Sequence, residues 1–297
     1  MRLVVSLTTL PSRYQNLRQT VEQLRRQTRP PDLIYLALPK ICARLQQAYP
    51  PLPIEIAKYV TVVEPAVDYG PLTKIYGGLA METDPDTLIV TLDDDMHYAP
   101  DLLEQFSQAA QEHPKAALCA TGVLLAKPRY FSAIYTSLEP WVGYNHLLFP
   151  PFTEGVSREV DLVFGMGGVL YRRGFFPSLA ECEKELFSLA LNSRALFLSD
   201  DVLLSAYLNQ RKIPRRVVKG LPPVRDQVHT EQDGLSVQLF KMLRTFNTAL
   251  DELEAKGWLA SRAPLTITET PAWWLIWLIL GMLLLGGALV LLYLYIL

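Results

Sequence analysis

Three consecutive aspartates, Asp93, Asp94 and Asp95, follow the apolar run of "LIVTLDDDMHY" (88–98). Adjacent carboxylates repel one another, so a fold that gathers them at a strand end needs a compensating cation. Alternation along an extended chain presents Asp93 and Asp95 to one side, as hard oxygen ligands suited to Mg²⁺ or Mn²⁺. A solvated acidic turn explains the same three residues without a metal. A second acidic pair, Asp200 and Asp201, opens "DDVLLSAYLNQRK", where a helix dipole stabilises carboxylates and capping accounts for them.

The elements that must position these residues are legible in the hydrophobic pattern. "LVVSL" (3–7) is a buried-strand run, and the stretch after Pro11 sets Tyr14, Leu17, Val21 and Leu24 on one helical face. "DLIYLAL" and "YVTVV" supply two further strands, "LTKIYGGLAME" a short helix, and "TLIVTL" the central strand. Next comes a helix starting near Pro100, with Leu102, Leu103, Phe106, Ala109 and Ala110 on its inner face, and then the strand "AALCA". This rhythm predicts an α/β fold, a mostly parallel sheet with helices on both faces. Ligands in such folds bind beyond the carboxyl ends of the strands, which is where the acidic triplet falls. In the second half, "EVDLVFGMGGVLYRR" reads as two strand pieces joined by a glycine-rich bend, and "IPRRVV" as a strand. "PWVGYNHLLFPPF" (140–152) reads as an aromatic loop. Leu235, Leu239, Met242, Leu243, Phe246, Leu250 and Leu253 recur at helical spacing.

The chain has 297 residues, half of them hydrophobic, enough for one large α/β domain or two small ones. Part of the apolar excess sits in 272–297, a run without a charged residue. At about 1.5 Å per residue it exceeds the roughly 30 Å hydrocarbon core, so one tilted transmembrane helix is expected. Trp273, Trp274 and Trp277 at one end, with Tyr293 and Tyr295 at the other, suit two interfacial belts. The start, "MRLVVSLTTLPSR", has too short an apolar run for a signal peptide, so a cytosolic domain anchored by its tail is expected. The division is then 1–234 for the α/β unit, 235–271 for an amphipathic helix and juxtamembrane linker, and 272–297 for the membrane span. Three widely spaced cysteines without a CxxC pair suit a reducing compartment. A net charge of −2 gives no reason to expect nucleic acid as a partner.

Four stretches in this order resemble a GT-A-fold glycosyltransferase of the family-2-like kind: "VVSLTTLPSR", "DYGPLTKIYGGL", "TLDDDMHY", and "GMGGVLYRR" followed by "LSDDVLLSAYLNQRKI". The resemblance covers about residues 2–218 and leaves the C-terminal helix and tail outside it. It implies transfer of a sugar from a nucleoside-diphosphate sugar, a UDP-sugar first among them, to a glycan or lipid-linked acceptor. Asp93 and Asp95 would hold Mn²⁺ or Mg²⁺ on the donor diphosphate, with Asp94 near the donor ribose or sugar. Lys74 would bring a mobile point charge to the phosphates, or be an ordinary exposed helix lysine. Thr8, Pro11 and Arg13 would shape the nucleotide pocket, and Asp68 would meet the base or ribose. The second acid of the pair, Asp201, would be the general base of an inverting reaction, beside Asp200. His229, in the polar loop "RDQVHTEQDG", would complete the metal shell or lie on the surface. Around the site, Trp141, Tyr144 and Phe149 are candidates to stack on an acceptor sugar, and Arg172 and Arg173 to meet an anionic one.

Two other readings stand beside it. Haloacid-dehalogenase phosphatases also use aspartates after a buried strand. They want Asp-x-Asp-x-Thr/Val near the N-terminus, whereas here Met96 and His97 follow Asp95 in mid-chain. The other is a non-catalytic, membrane-tethered protein that binds a nucleotide or sugar.

Overall fold

The computed structural model describes residues 1–123, 125, 157–218 and 239–259. The tail 272–297, the aromatic stretch 140–152 and His229 lie outside the described residues.

Strand β1 (Leu3–Leu7) is buried along its whole length. It pairs in parallel with β2 (Leu33–Ala37) on one side and β6 (Leu88–Thr91) on the other. Both neighbours are short and apolar, as strands covered on two faces must be. A two-stranded hairpin, β3 (Ile41–Cys42) with β4 (Gln47–Ala48), precedes β5 (Thr61–Val63). Strands β7 (Ala117–Val123), β8 (Arg158–Glu159), β9 (Leu162–Arg172) and β10 (Arg215–Val217) complete an eight-stranded sheet of order β5-β2-β1-β6-β9-β7-β10-β8. Most pairings are parallel; β9 runs antiparallel between β6 and β7, and β8 antiparallel beside β10.

Helices cover both faces, and the period of two along the strands sorts the side chains between them. Leu3, Val5, Leu7, Leu88 and Val90 enter one core with Leu17, Val21 and Leu24 of α1 (Tyr14–Arg25) and Leu102, Leu103 and Phe106 of α4 (Leu102–Glu112). Val4 and Ile89 point the other way, toward Leu72 and toward Ile75 and Leu79 of α3 (Thr73–Met81). Each such buried side chain contributes about 1.5–3 kcal/mol, so a three-residue stripe fixes the face α1 presents. Val202, Leu203, Ala206 and Tyr207 of α5 (Asp200–Gln210) belong to the second core. So do Ala249, Leu250 and Leu253 of α6 (Leu239–Ala255), where Trp258 also stacks obliquely near Tyr207. The amphipathic helix expected there thus shares a core with the sheet, and the expected division at 234 falls outside the described residues. Among the described residues no helix is long and apolar enough to cross a membrane.

Three elements escaped the pattern reading. The β3–β4 hairpin and the single turn α2 (Ile54–Ala57) are too short to show a period. The helical segment around 179–197 did carry a signal, since Ser178 and Glu181 form a capping box. The glycine-rich bend turns out to be an irregularity within one continuous strand. Gly167 and Gly168 take φ of 86° and 93°, and the β7–β9 register shifts between Cys119 and Thr121.

Candidate active site

Because β1 and β6 are parallel, the turns that follow them emerge at the same edge of the sheet. The turn after β6 carries Asp93, Asp94 and Asp95; the one after β1 carries Thr8, Thr9 and the short helical turn Pro11–Arg13. Strand β9 runs the opposite way, with Val169 opposite Thr91, so its early residues reach past the end of β6. That brings Gly165 to the acidic edge, where the first turn of α5 arrives as well.

Asp94 is nearly fully buried and locks the two turns together. Its Oδ2 accepts a short hydrogen bond from Thr9 Oγ1, its Oδ1 meets Arg13 Nη1 at 3.2 Å, and its carbonyl accepts from Thr20 Oγ1 at 3.1 Å. Both carboxylate oxygens are thereby engaged, so Asp94, expected near the donor ribose or sugar, clamps the turns after β1 and β6 together. The same Arg13 nitrogen lies 2.9 Å from Asp95 Oδ2. Asp93 is the most open of the three, with a side chain 32% exposed. Tyr98 fixes its backbone: the hydroxyl accepts from Asp93 N–H at 2.8 Å and donates to Asp93 O at 3.0 Å.

Lys74 crosses from α3 to join the acids after β6 to those that open α5. Its Nζ donates to Asp93 Oδ1 at 2.7 Å and lies 2.9 Å from Asp200 Oδ2. The second contact is a charge pair without hydrogen-bond alignment, and Asp200 Oδ2 is buried with no hydrogen-bond partner among the described residues. Lys74 is therefore no exposed helix lysine. Burial works against its ammonium, but Asp200, Asp93 and Asp201 outweigh that and hold its pKa well above the ordinary lysine value. Asp68, just upstream, accepts from Gly70 N–H at 2.8 Å, from Thr73 Oγ1 at 3.3 Å and from Ala43 N–H at 2.7 Å. It pins the start of α3, and hence the base of the Lys74 side chain. Thr8 Oγ1 is bound to Ala37 O at 2.9 Å. Gly70 has φ of 65°, and a Cβ there would meet Phe197 O at 2.4 Å, so only glycine fits this turn.

Asp201 Oδ1 accepts from the Gly165 N–H at 2.9 Å, and the residue as a whole is half-buried. Burial, then the neighbouring Asp200 charge, raise its pKa well above the usual carboxylate range. The ionised form of such a carboxylate is the stronger base for being raised in this way. Neither acid caps α5 by a side-chain hydrogen bond from the N-cap, which is Ser199. Gly165 was not singled out from sequence, although it begins the glycine segment. A Cβ there would lie 2.9 Å from Lys74 Nζ and 3.1 Å from Asp201 Oδ1. Gly165→Ala is therefore expected to displace those two flexible groups and leave the backbone intact. Its melting temperature should stay close to wild type, while whatever turnover the site supports falls roughly tenfold to a hundredfold in a steady-state assay.

Five carboxylates thus meet two cationic side chains, Lys74 and Arg13. The crowding shows at Asp95, where burial and then Asp94 and Asp93 raise the pKa to about 6. Among the described residues no three His, Cys, Asp or Glu side chains form a ready-made metal cage. The donor set nevertheless fits a hard divalent ion, since Mg²⁺ is usually held by one or two carboxylates plus substrate phosphates. Asp93 and Asp95 are the candidates for such a pair. His97 is exposed and pairs with Gln23 Nε2 at 3.1 Å, outside the acidic group.

The arginines expected on the acceptor side are a correction. Arg172 lies opposite Leu88, at the far end of β6, and donates to Ala110 O at 2.8 Å. Arg173 is buried and donates to Glu82 O, Phe176 O and Pro177 O. The antiparallel direction of β9 carries both away from the site.

No family model matches the chain, and no curated protein matches its sequence. Solved structures do resemble it in shape. A fragment of S. aureus TarS, residues 1–349, aligns at 12% identity and a TM-score of 0.45, over 84% of this chain and 65% of that one. This chain therefore spans just under two thirds of that fragment's length. Glucosyl-3-phosphoglycerate synthase from Mycobacterium tuberculosis, in complex with Mn²⁺, UDP and glucosyl-3-phosphoglycerate, aligns at 13% identity and a TM-score of 0.45, over 84% and 79% of the two chains. Likenesses of this size assign neither an activity nor site residues.

Proposed function

We propose that this chain is a metal-dependent glycosyltransferase that moves a sugar from a nucleoside-diphosphate donor, UDP-linked first among those to test, to a hydroxyl of a glycan or lipid-linked acceptor. The observation that carries the reading is the Lys74 bridge. One ammonium ties Asp93, after the central strand, to Asp200, beside a basic carboxylate held on Gly165. The bridge supports a metal-and-phosphate end and a proton-accepting end lying side by side.

Asp93 and Asp95 would hold Mn²⁺ or Mg²⁺, which when bound stabilises the negative charge developing on the departing diphosphate. Lys74 offers a second positive charge on the same side. Asp201 takes the proton of the acceptor hydroxyl, its carboxylate held in place by the Gly165 N–H on Oδ1. The acceptor oxygen then bonds to the anomeric carbon as the bond from that carbon to the diphosphate oxygen breaks, with inversion. Thr8, Pro11 and Arg13 line the nucleotide side in this reading, and Arg13 also neutralises Asp94 and Asp95. His229 remains a candidate third ligand.

A thermal-shift screen of nucleotide sugars, each with and without Mn²⁺, tests the donor class. At 100 times its dissociation constant a true donor adds about 2.7 kcal/mol of stability. No metal-dependent shift with any nucleotide sugar counts against the reading.

The tail 272–297 is proposed as a membrane anchor that keeps the domain on the cytosolic face. A chain ending at Ser261 keeps Leu259, which is buried, and the Asn209 bond to Trp258 O. It should stay soluble without detergent and turn over a water-soluble acceptor analogue, while the full chain partitions into vesicles. An insoluble or inactive truncation would instead assign the tail a part in packing or in acceptor binding.

A further inference from the structure

Lys74 stands where the site needs positive charge, and it does so with protein groups alone. Its ammonium is buried between Asp93 Oδ1 and Asp200 Oδ2, at 2.7 and 2.9 Å. Asp93 is also one of the two carboxylates proposed to hold the divalent ion. An ion ligated by that carboxylate at about 2.0–2.1 Å would sit beside the ammonium, and two cations on one carboxylate repel strongly where little water screens them. The lysine has the means to move. Its charge rides on a flexible four-carbon stem, whereas the start of α3 is fixed by Asp68 through Gly70 N–H and Thr73 Oγ1.

We infer that Lys74 is the resident counter-cation of the site, and that it yields Asp93 to the divalent ion when an arriving diphosphate takes up the displaced ammonium. Lys74 is then a positioning residue that links two binding events. Without nucleotide it competes with the metal; with nucleotide it no longer does. Linkage makes the effect reciprocal, so metal strengthens nucleotide binding by the same factor. Asp200, holding the other side of the ammonium, keeps the lysine near the pocket in both states. The inference rests on the glycosyltransferase reading for the identity of the diphosphate.

The test measures Mn²⁺ binding to the full chain by electron paramagnetic resonance of the free ion, with and without UDP. Wild type should bind Mn²⁺ weakly alone and at least about tenfold more tightly with UDP. Lys74→Met should bind Mn²⁺ alone at least about tenfold more tightly than wild type, and the further gain from UDP should be smaller than in wild type, leaving only the part that the phosphates supply as ligands. A lysine with only a structural role would not give a gain of metal affinity on removal. Lys74→Gln, which can still hydrogen-bond to Asp93 and Asp200, is the second variant in case methionine prevents folding, and the same gain is expected. Mn²⁺ affinity in these variants no higher than in wild type, or coupling to UDP left at its wild-type size, overturns the inference while leaving the glycosyltransferase reading intact. Failure of wild type to bind UDP under any metal condition sinks that reading, and the inference with it.

Discussion

Asp201→Asn is expected to slow transfer at least about a hundredfold with almost no change in melting temperature. A general base typically contributes about 10² to 10⁴ in rate, whereas a carboxylate at a helix start is worth only about 0.3–1 kcal/mol. Asparagine keeps an oxygen for the Gly165 N–H, so the side chain stays in place. It loses the basic lone pair and removes a charge beside Asp200. Donor and Mn²⁺ affinity should remain near wild type, so the loss falls on turnover. Asp200→Asn should behave differently, because Asp200 is a charge partner of buried Lys74. It should lower the melting temperature more than Asp201→Asn does, and slow transfer less. If Asp201→Asn keeps most of its rate while Asp200→Asn loses it, the two roles are reversed.

The second large effect is expected at the acidic triplet. Asp93→Asn and Asp95→Asn should each weaken Mn²⁺-dependent binding of UDP at least about a hundredfold, roughly 2.7 kcal/mol, in a calorimetric titration. The substitution keeps the shape at both positions. The Asp93 backbone remains on Tyr98, and Arg13 keeps Asp94. Binding of UDP without metal should change far less. Tight, metal-dependent binding retained in both variants would remove the metal from Asp93 and Asp95.

Most of the scaffold was legible because its strands are short, apolar and buried on both faces, a pattern that needs no knowledge of the neighbours. "LVVSL" and "TLIVTL" could hardly have been anything else, and the acidic triplet followed at the strand end where ligands gather. Direction was not legible. An apolar run reads the same whether its strand is parallel or antiparallel, so nothing in "DLVFGMGGVLYRR" revealed that Gly165 would reach the site and Arg172 and Arg173 the opposite end. Pairing over long separations was also hidden. Arg13 finds Asp94 across 81 positions, and Lys74 finds Asp200 only once α3 and α5 have packed. These contacts turned Asp94 into a clamp and Lys74 into a bridge. Neither role leaves a local mark in the sequence, because both arise from tertiary placement of ordinary residues.

Release of nucleoside diphosphate tests the central claim most directly. The full chain is incubated with a panel of UDP- and GDP-sugars and Mn²⁺, in parallel with EDTA, with Asp93→Asn, and with p-nitrophenyl phosphate in place of the donor. The expected result is nucleoside diphosphate released from at least one sugar donor, abolished by EDTA and by Asp93→Asn, with p-nitrophenyl phosphate untouched. Turnover of p-nitrophenyl phosphate alone would make the protein a phosphatase, and no turnover of any donor despite Mn²⁺-dependent binding would leave it a binding protein; either result contradicts the account.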